Sequence, residues 1–156
     1  MSTWNQIASL APELSERVRT AFDAHKHKVI ATLRADGSPR ISGTELDVAD
    51  GEMWIGSMPD AMKARDLQRD PRFAIHSAPL DLTMQIPDVK IAGRAIELVD
   101  QADQDAWVAA RSEPIPPGPF HLFRLDINEV VCTSVADNQM TIESWHDGRG
   151  VSRATR

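Results

Sequence analysis

Two Asp-Gly dipeptides, Asp36-Gly37 and Asp50-Gly51, constrain the fold of this chain more than any other feature. Short runs rich in β-branched and apolar residues surround them: Val29–Leu33 before the first, Arg40–Val48 between the two, and Met53–Ser57 after the second. Asp-Gly marks a hairpin turn because glycine takes a positive φ at no steric cost. The spacing therefore predicts three sequential antiparallel strands.

On either side of this meander the period changes. Leu14, Val18, Ala21 and Phe22 recur at helical spacing and predict a helix over Pro12–Ala24. A second helix is expected over Asp60–Arg69, with Asp60 as N-cap and Ala61, Ala64 and Leu67 on one face. Asp70-Pro71 ends it, because the residue before proline is driven away from helical angles. Phe73–His76 and Val89–Val99 read as strands, with Gly93 a bulge or a point of close backbone approach. Ala102–Arg111 reads as a short helix and Pro114–Pro119 as a stiff loop. Leu122–Ser134 and Met140–Trp145 form a hairpin turning near Asp137 and Asn138. The pattern is α+β: an antiparallel sheet of six to seven strands curled into a barrel, with flanking short helices. A length of 156 residues suits one domain, with residues 1–27 as an N-terminal helical segment and 147–156 as a polar tail, loose or ordered by a partner.

Several function classes are set aside. A net charge of −6 argues against a phosphate-tracking surface, so nucleic acid is not expected as a partner. Cys132 is the single cysteine, which excludes an intramolecular disulfide and a cysteine-based metal site. His25 and His27 share no helical face and no third ligand pattern accompanies them, so no metal is expected. No run approaches the ~20 apolar residues that span a bilayer, and the first residues do not read as a signal peptide. A cytoplasmic protein with no membrane partner is the expectation.

The ordered string Ala31-Thr32-Leu33, Asp36-Gly37-Ser38-Pro39, Asp50-Gly51, Trp54-Ile55-Gly56-Ser57, Lys63, Asp66-Leu67 and Asp70-Pro71-Arg72 resembles the pyridoxamine 5'-phosphate oxidase-like superfamily of FMN-binding split barrels. It is similar in particular to the actinobacterial branch of flavin- and deazaflavin (F420)-dependent oxidoreductases. The resemblance implies that Ser57, ending the third strand, and Lys63, six residues on, bind the cofactor phosphate. The local chemistry agrees, because a strand-to-helix junction supplies a hydroxyl, backbone N–H groups and an ammonium. It also places Ile41, Ser42, Gly43 and Thr44 beside the isoalloxazine ring, where small residues admit a flat ligand.

The sequence departs from the family pattern at two points. Met62 stands where flavin enzymes of the family often carry Arg, and Ile41 stands where a basic residue opens the ring-binding strand of the true oxidases. These departures turn the reading from vitamin B6 chemistry toward F420 or FMN chemistry on another small-molecule substrate. The resemblance further implies a homodimer with cofactor at the interface. Trp145 is a candidate for stacking on a ring or on the partner subunit, and Arg149, with Arg153 and Arg156, for reaching a polyanionic cofactor.

No triad, metal cluster or paired-carboxylate motif stands out, as suits a cofactor that carries hydride itself. No catalytic residue is assigned. Two alternatives stay open: a carrier or sensor that binds flavin without turnover, and a haem-binding protein with His76 as ligand.

Overall fold

The computed structural model describes residues 1–78, 86–111, 115 and 117–156. The expected loop over Pro114–Pro119 therefore lies partly outside the described residues. Four helices and nine strands are described: α1 Trp4–Leu10, α2 Pro12–Asp23, β1 His27–Leu33, β2 Pro39–Glu45, β3 Asp47–Ala49, β4 Glu52–Ser57, α3 Met62–Arg69, β5 Arg72–His76, β6 Asp88–Glu97, α4 Gln101–Ala109, β7 His121–Ala136, β8 Gln139–His146 and β9 Gly150–Thr155. All strand pairs are antiparallel, in the order β2-β1-β5-β6-β7-β4-β3, and β8 joins β7 and carries β9. β2 approaches β4 without pairing to it, so the sheet closes into a split barrel.

The turns follow their chemistry. Ala35-Asp36-Gly37 forms a three-residue loop with Gly37 at φ +83°, while Asp50-Gly51 and Asp137-Asn138 take positive φ at both central residues. At Leu46 the predicted second strand breaks in two. β2 leaves β1 there, and β3 pairs with β4 instead.

Inward residues of the barrel alternate along each strand: Ile30 on β1, Met53 and Ile55 on β4, Phe73 and Ile75 on β5, Val89 and Ile91 on β6, and Phe123, Leu125 and Ile127 on β7. α2 packs against β6 and β7, α1 against β4, and α3 against β1, adding Leu14, Val18, Phe22, Trp4, Ile7 and Leu67 to the core.

Gly93 sits at a β-bulge, as expected. The β6–β7 register slips between Ala92 and Gly93, leaving Asn128 as the extra residue. A Cβ at Gly93 would stand 2.0 Å from the Asp126 carbonyl oxygen, so only glycine fits.

The N-terminal helical segment holds α1, opened by a capping box between Thr3 and Gln6, as well as the expected α2. Two further expectations are corrected. Asp60 is not the N-cap of α3: Ala61 holds that position without a side-chain cap, while Asp60 takes φ +60° and pairs with Arg65 at 2.8 Å. The polar C-terminal segment is not loose, because residues 150–155 form β9 along β8.

Candidate functional site

The junction from β4 through residues 58–61 into α3 gathers the chemistry. Ser57, the last residue of β4, is 8% exposed, and its Oγ is buried with no hydrogen-bond partner among the described residues. A buried hydroxyl left unpaired costs free energy, so such a group marks either strain or a place for a missing partner. Five residues later α3 begins with no capping side chain and no acidic residue in its first turn. Its first N–H groups have no partner within the helix and carry the positive end of the helix dipole.

Lys63, in that first turn, is half-buried and donates to the Gly43 carbonyl at 2.8 Å. Burial lowers its pKa below the ordinary lysine value, and Glu45 opposes that shift. One of its three donors is engaged on β2, leaving two for an anion.

This contact brings Lys63 to the strand that sequence reasoning placed beside a ring. Along β2, Ile41 is 74% exposed and Gly43 is exposed, Ser42 is half-buried, and Thr44 is buried with its hydroxyl donating to the Glu45 carbonyl. Ile41 and Gly43 alternate outward, and no Cβ at Gly43 would meet anything within 4 Å. Thr44 is thus turned inward, away from the face that Ile41 and Gly43 present.

Trp145 and Arg149 do not join this junction within the chain. Trp145 is 2% exposed, opposite Val130 in the core, so its ring is used in packing and is not free to stack on a ligand. Ser57 pairs with His121 at the start of β7. From there to Val130 is roughly 30 Å of strand. Arg149 is exposed in the β8–β9 turn, beside Asn128 and Glu129 midway along β7.

Sequence reading missed two features of the surroundings. Asp66, buried on α3, accepts hydrogen bonds from Thr32, Arg40 and Arg69. Burial alone would raise its pKa, but those donors outweigh it and hold the carboxyl below its ordinary value. His121, beside Ser57, donates through Nδ1 to Glu97 at 2.7 Å, and Gln68 donates to the same carboxylate. The signal for Asp66 was present, an acid at a buried helical position, but only the fold shows which cations meet it.

On the outer face of the sheet, Ile41, Ala31, Ala74 and Ala92 form one cross-strand row over β2, β1, β5 and β6. With Val29, His76 and Lys90 they line a shallow apolar recess of about 250 Å³. Among the described residues no group of three or more His, Cys, Asp or Glu could hold a metal ion, and no helix is long and apolar enough to cross a membrane.

The sequence model of pyridoxamine 5'-phosphate oxidase matches residues 14–133. The chain belongs to the pyridoxamine 5'-phosphate oxidase family. Solved structures agree on the fold. PhzG from Burkholderia lata 383, in complex with tetrahydrophenazine-1-carboxylic acid, superposes with a TM-score of 0.71 at 16% identity, covering 93% of this chain and 90% of that one. A pyridoxamine 5'-phosphate oxidase-related, FMN-binding protein from Nostoc punctiforme gives 0.65 at 16% identity, covering 100% and 97%. A haem-binding protein from Mycobacterium smegmatis gives 0.57 at 17% identity, covering 91% and 87%. No curated protein matches the chain. The Ser57–α3 junction and Lys63 bring together a hydroxyl, backbone N–H groups and an ammonium, the donor types that bind an anion.

Proposed function

We propose that this family member is an oxidoreductase that holds FMN or the deazaflavin F420 by its phosphate at Ser57, Lys63 and the start of α3. The observation that carries the reading is the unpartnered buried Oγ of Ser57 next to an uncapped helix start, with the Lys63 ammonium in its first turn. A phosphate would meet all three donor types at once. The bound cofactor would supply hydride transfer to or from a small-molecule substrate, while the protein binds, orients and shields it. Ile41, Ser42 and Gly43 are the residues placed to flank its ring, and Met62, 50% exposed where family enzymes often carry Arg, leaves the phosphate with fewer fixed charges. That favours the deazaflavin over FMN.

A second copy of the chain is part of the same proposal. The Ile41-Ala31-Ala74-Ala92 row is an apolar surface of the kind that marks an interface. Arg149 lies level with Asn128 and Glu129, well along β7 from His121, so a cofactor at the Ser57 junction would meet it from another subunit.

The test is an absorbance spectrum and mass analysis of the purified protein, followed by titration with FMN and with F420. Saturable binding of either one supports the reading, and binding of neither overturns it. Incubation with reduced cofactor and a panel of quinones, enones and biliverdin then separates an enzyme from a carrier. Cofactor oxidation marks turnover, and tight binding without oxidation marks a carrier or sensor.

One observation favours haem as a second reading. His76 on β5 lines the apolar recess and donates through Nδ1 to the Ser77 carbonyl, so its Nε2 carries the lone pair a haem iron would need. A Soret band that grows on haem titration and is lost in His76→Ala would support it.

A further inference from the structure

The helix that carries Lys63 is held by a buried cluster that touches no part of the Ser57 junction. Asp66 lies one turn beyond Lys63 on α3, and its side chain is 2% exposed. A carboxylate so placed is unfavourable unless donors surround it. Three do: Thr32 Oγ1 at 2.9 Å from β1, Arg40 Nε at 2.6 Å from β2, and Arg69 Nη2 at 2.9 Å from α3 itself. Arg69 also donates to the Leu33 carbonyl at the end of β1.

These bonds tie α3 to the β1–β2 hairpin and to nothing else. β2 is the last strand of its sheet, paired on one side only, so ties from α3 matter for its position. There are two of them, Arg40–Asp66 and Gly43–Lys63. Lys63 and Asp66 are neighbours at i, i+3 on the helix, and Arg40 and Gly43 are three residues apart on the strand. An ammonium shared between the Gly43 carbonyl and an anion holds the second tie less firmly. The first then carries more of the joint between helix and strand.

We propose that Asp66 is the positioning residue of the phosphate cradle, holding α3 on β1 and β2 so that Lys63 and the Ser42–Thr44 segment keep one arrangement. This rests on the reading of Ser57 and Lys63 as the phosphate site. Asp66 acts through Lys63 and touches no ligand, so its loss is felt by ligands that carry the phosphate. Arg40 is the matching cation from β2, and Thr32 sets the height of the helix on β1.

FMN and riboflavin share one ring and differ by the phosphate, so the pair isolates the cradle. Asp66→Asn is expected to weaken FMN about tenfold, the size of one charge-assisted contact, and to leave riboflavin within about twofold. Combined with Lys63→Ala, it should add little to the effect of Lys63→Ala alone. Equal weakening of FMN and riboflavin, no change in either, or fully multiplicative losses would each overturn the proposal. If Asp66→Asn does not fold, Thr32→Val removes one donor and is read in the same way.

A ligand-free arm separates this proposal from the one beneath it. The rate of acetylation of the Lys63 amine, mapped by mass spectrometry, should rise severalfold in Asp66→Asn while Lys26 and Lys90 react as in the parent protein. An unchanged Lys63 rate overturns the positioning role. A parent protein that binds no flavin, with the Lys63 rate still raised in the variant, would instead remove the phosphate reading and keep the clamp.

Discussion

The barrel and the β8–β9 hairpin attached to it are different kinds of structure. Residues 121–127 of β7 run inside the barrel between β4 and β6, with Phe123, Leu125 and Ile127 fully buried. Residues 129–133 still pair with β6, with Val130 and Cys132 in the core, while their other edge carries the β8–β9 hairpin, and every residue of β9 is exposed. At the barrel end, buried charge and hydrogen bonds fix α3, β1 and β2 around Lys63. In the β8–β9 arm, backbone pairing holds the strands and Trp145 alone is buried. The comparison teaches that pairing alone makes a strand, while a site that must hold an anion is built where buried groups leave few alternatives. It also explains why the arm presents bare surface: a strand exposed on both faces has room for another molecule.

Trp145 is the exception that anchors the arm, so it offers the hardest test of this contrast. Trp145→Ala should lower stability by about 4 kcal/mol, read by chemical denaturation. A loss below about 1 kcal/mol would mean that the arm is not rooted in the core. Gly93→Ala comes next, at about 3 kcal/mol, because the new methyl meets the Asp126 carbonyl within the barrel. Gly148→Ala, in the arm turn at φ +75° with open space around it, should cost about 1 kcal/mol. Thermal melts of the two variants side by side check the order.

A pH titration sharpens the same comparison at the site. Lys63 has its pKa lowered chiefly by burial, and only its charged form attracts phosphate. FMN affinity should therefore be full below that lowered pKa and fall as pH rises through it, earlier than for an ordinary exposed lysine. Removing residues 150–156 should have the smallest effect, within about 1 kcal/mol on the stability of one chain, since β9 adds no buried residue.

Much of the fold was legible because its signals are local. Asp-Gly turns, the alternation along Met53–Ser57 and the helical spacing of Leu14, Val18 and Phe22 each act within a few residues, and the chain obeys them. Gly93 was legible as a bulge for the same reason. The break at Leu46 was not, because it depends on β3 leaving β1 for β4, a choice made by the barrel as a whole. β9 was not legible either. Val151-Ser152-Arg153-Ala154-Thr155 has no buried face to give it a pattern, and it is a strand only because β8 offers an edge. α1 announced itself through Thr3 and Gln6, a signal that was there to read.

At the site, Ser57 and Lys63 were singled out by the family resemblance, and the structure adds the Lys63–Gly43 contact and the unpartnered Ser57 hydroxyl. Trp145 looked like a ring-stacking residue because tryptophan near a basic tail is ambiguous in sequence; its partner Val130 decides that it is core. Asp66 was invisible as a clamp because Thr32 and Arg40 lie 34 and 26 residues away along the chain.

The central claim is that Lys63 at the Ser57 junction holds the cofactor phosphate, and calorimetric titration of FMN and of F420 into the parent protein and Lys63→Ala tests it most directly. The expected result is a loss of about 1.5–3 kcal/mol in the variant for the cofactor the parent binds, the worth of a charged hydrogen bond, with its fold intact by circular dichroism. Unaltered affinity for both FMN and F420 would contradict it.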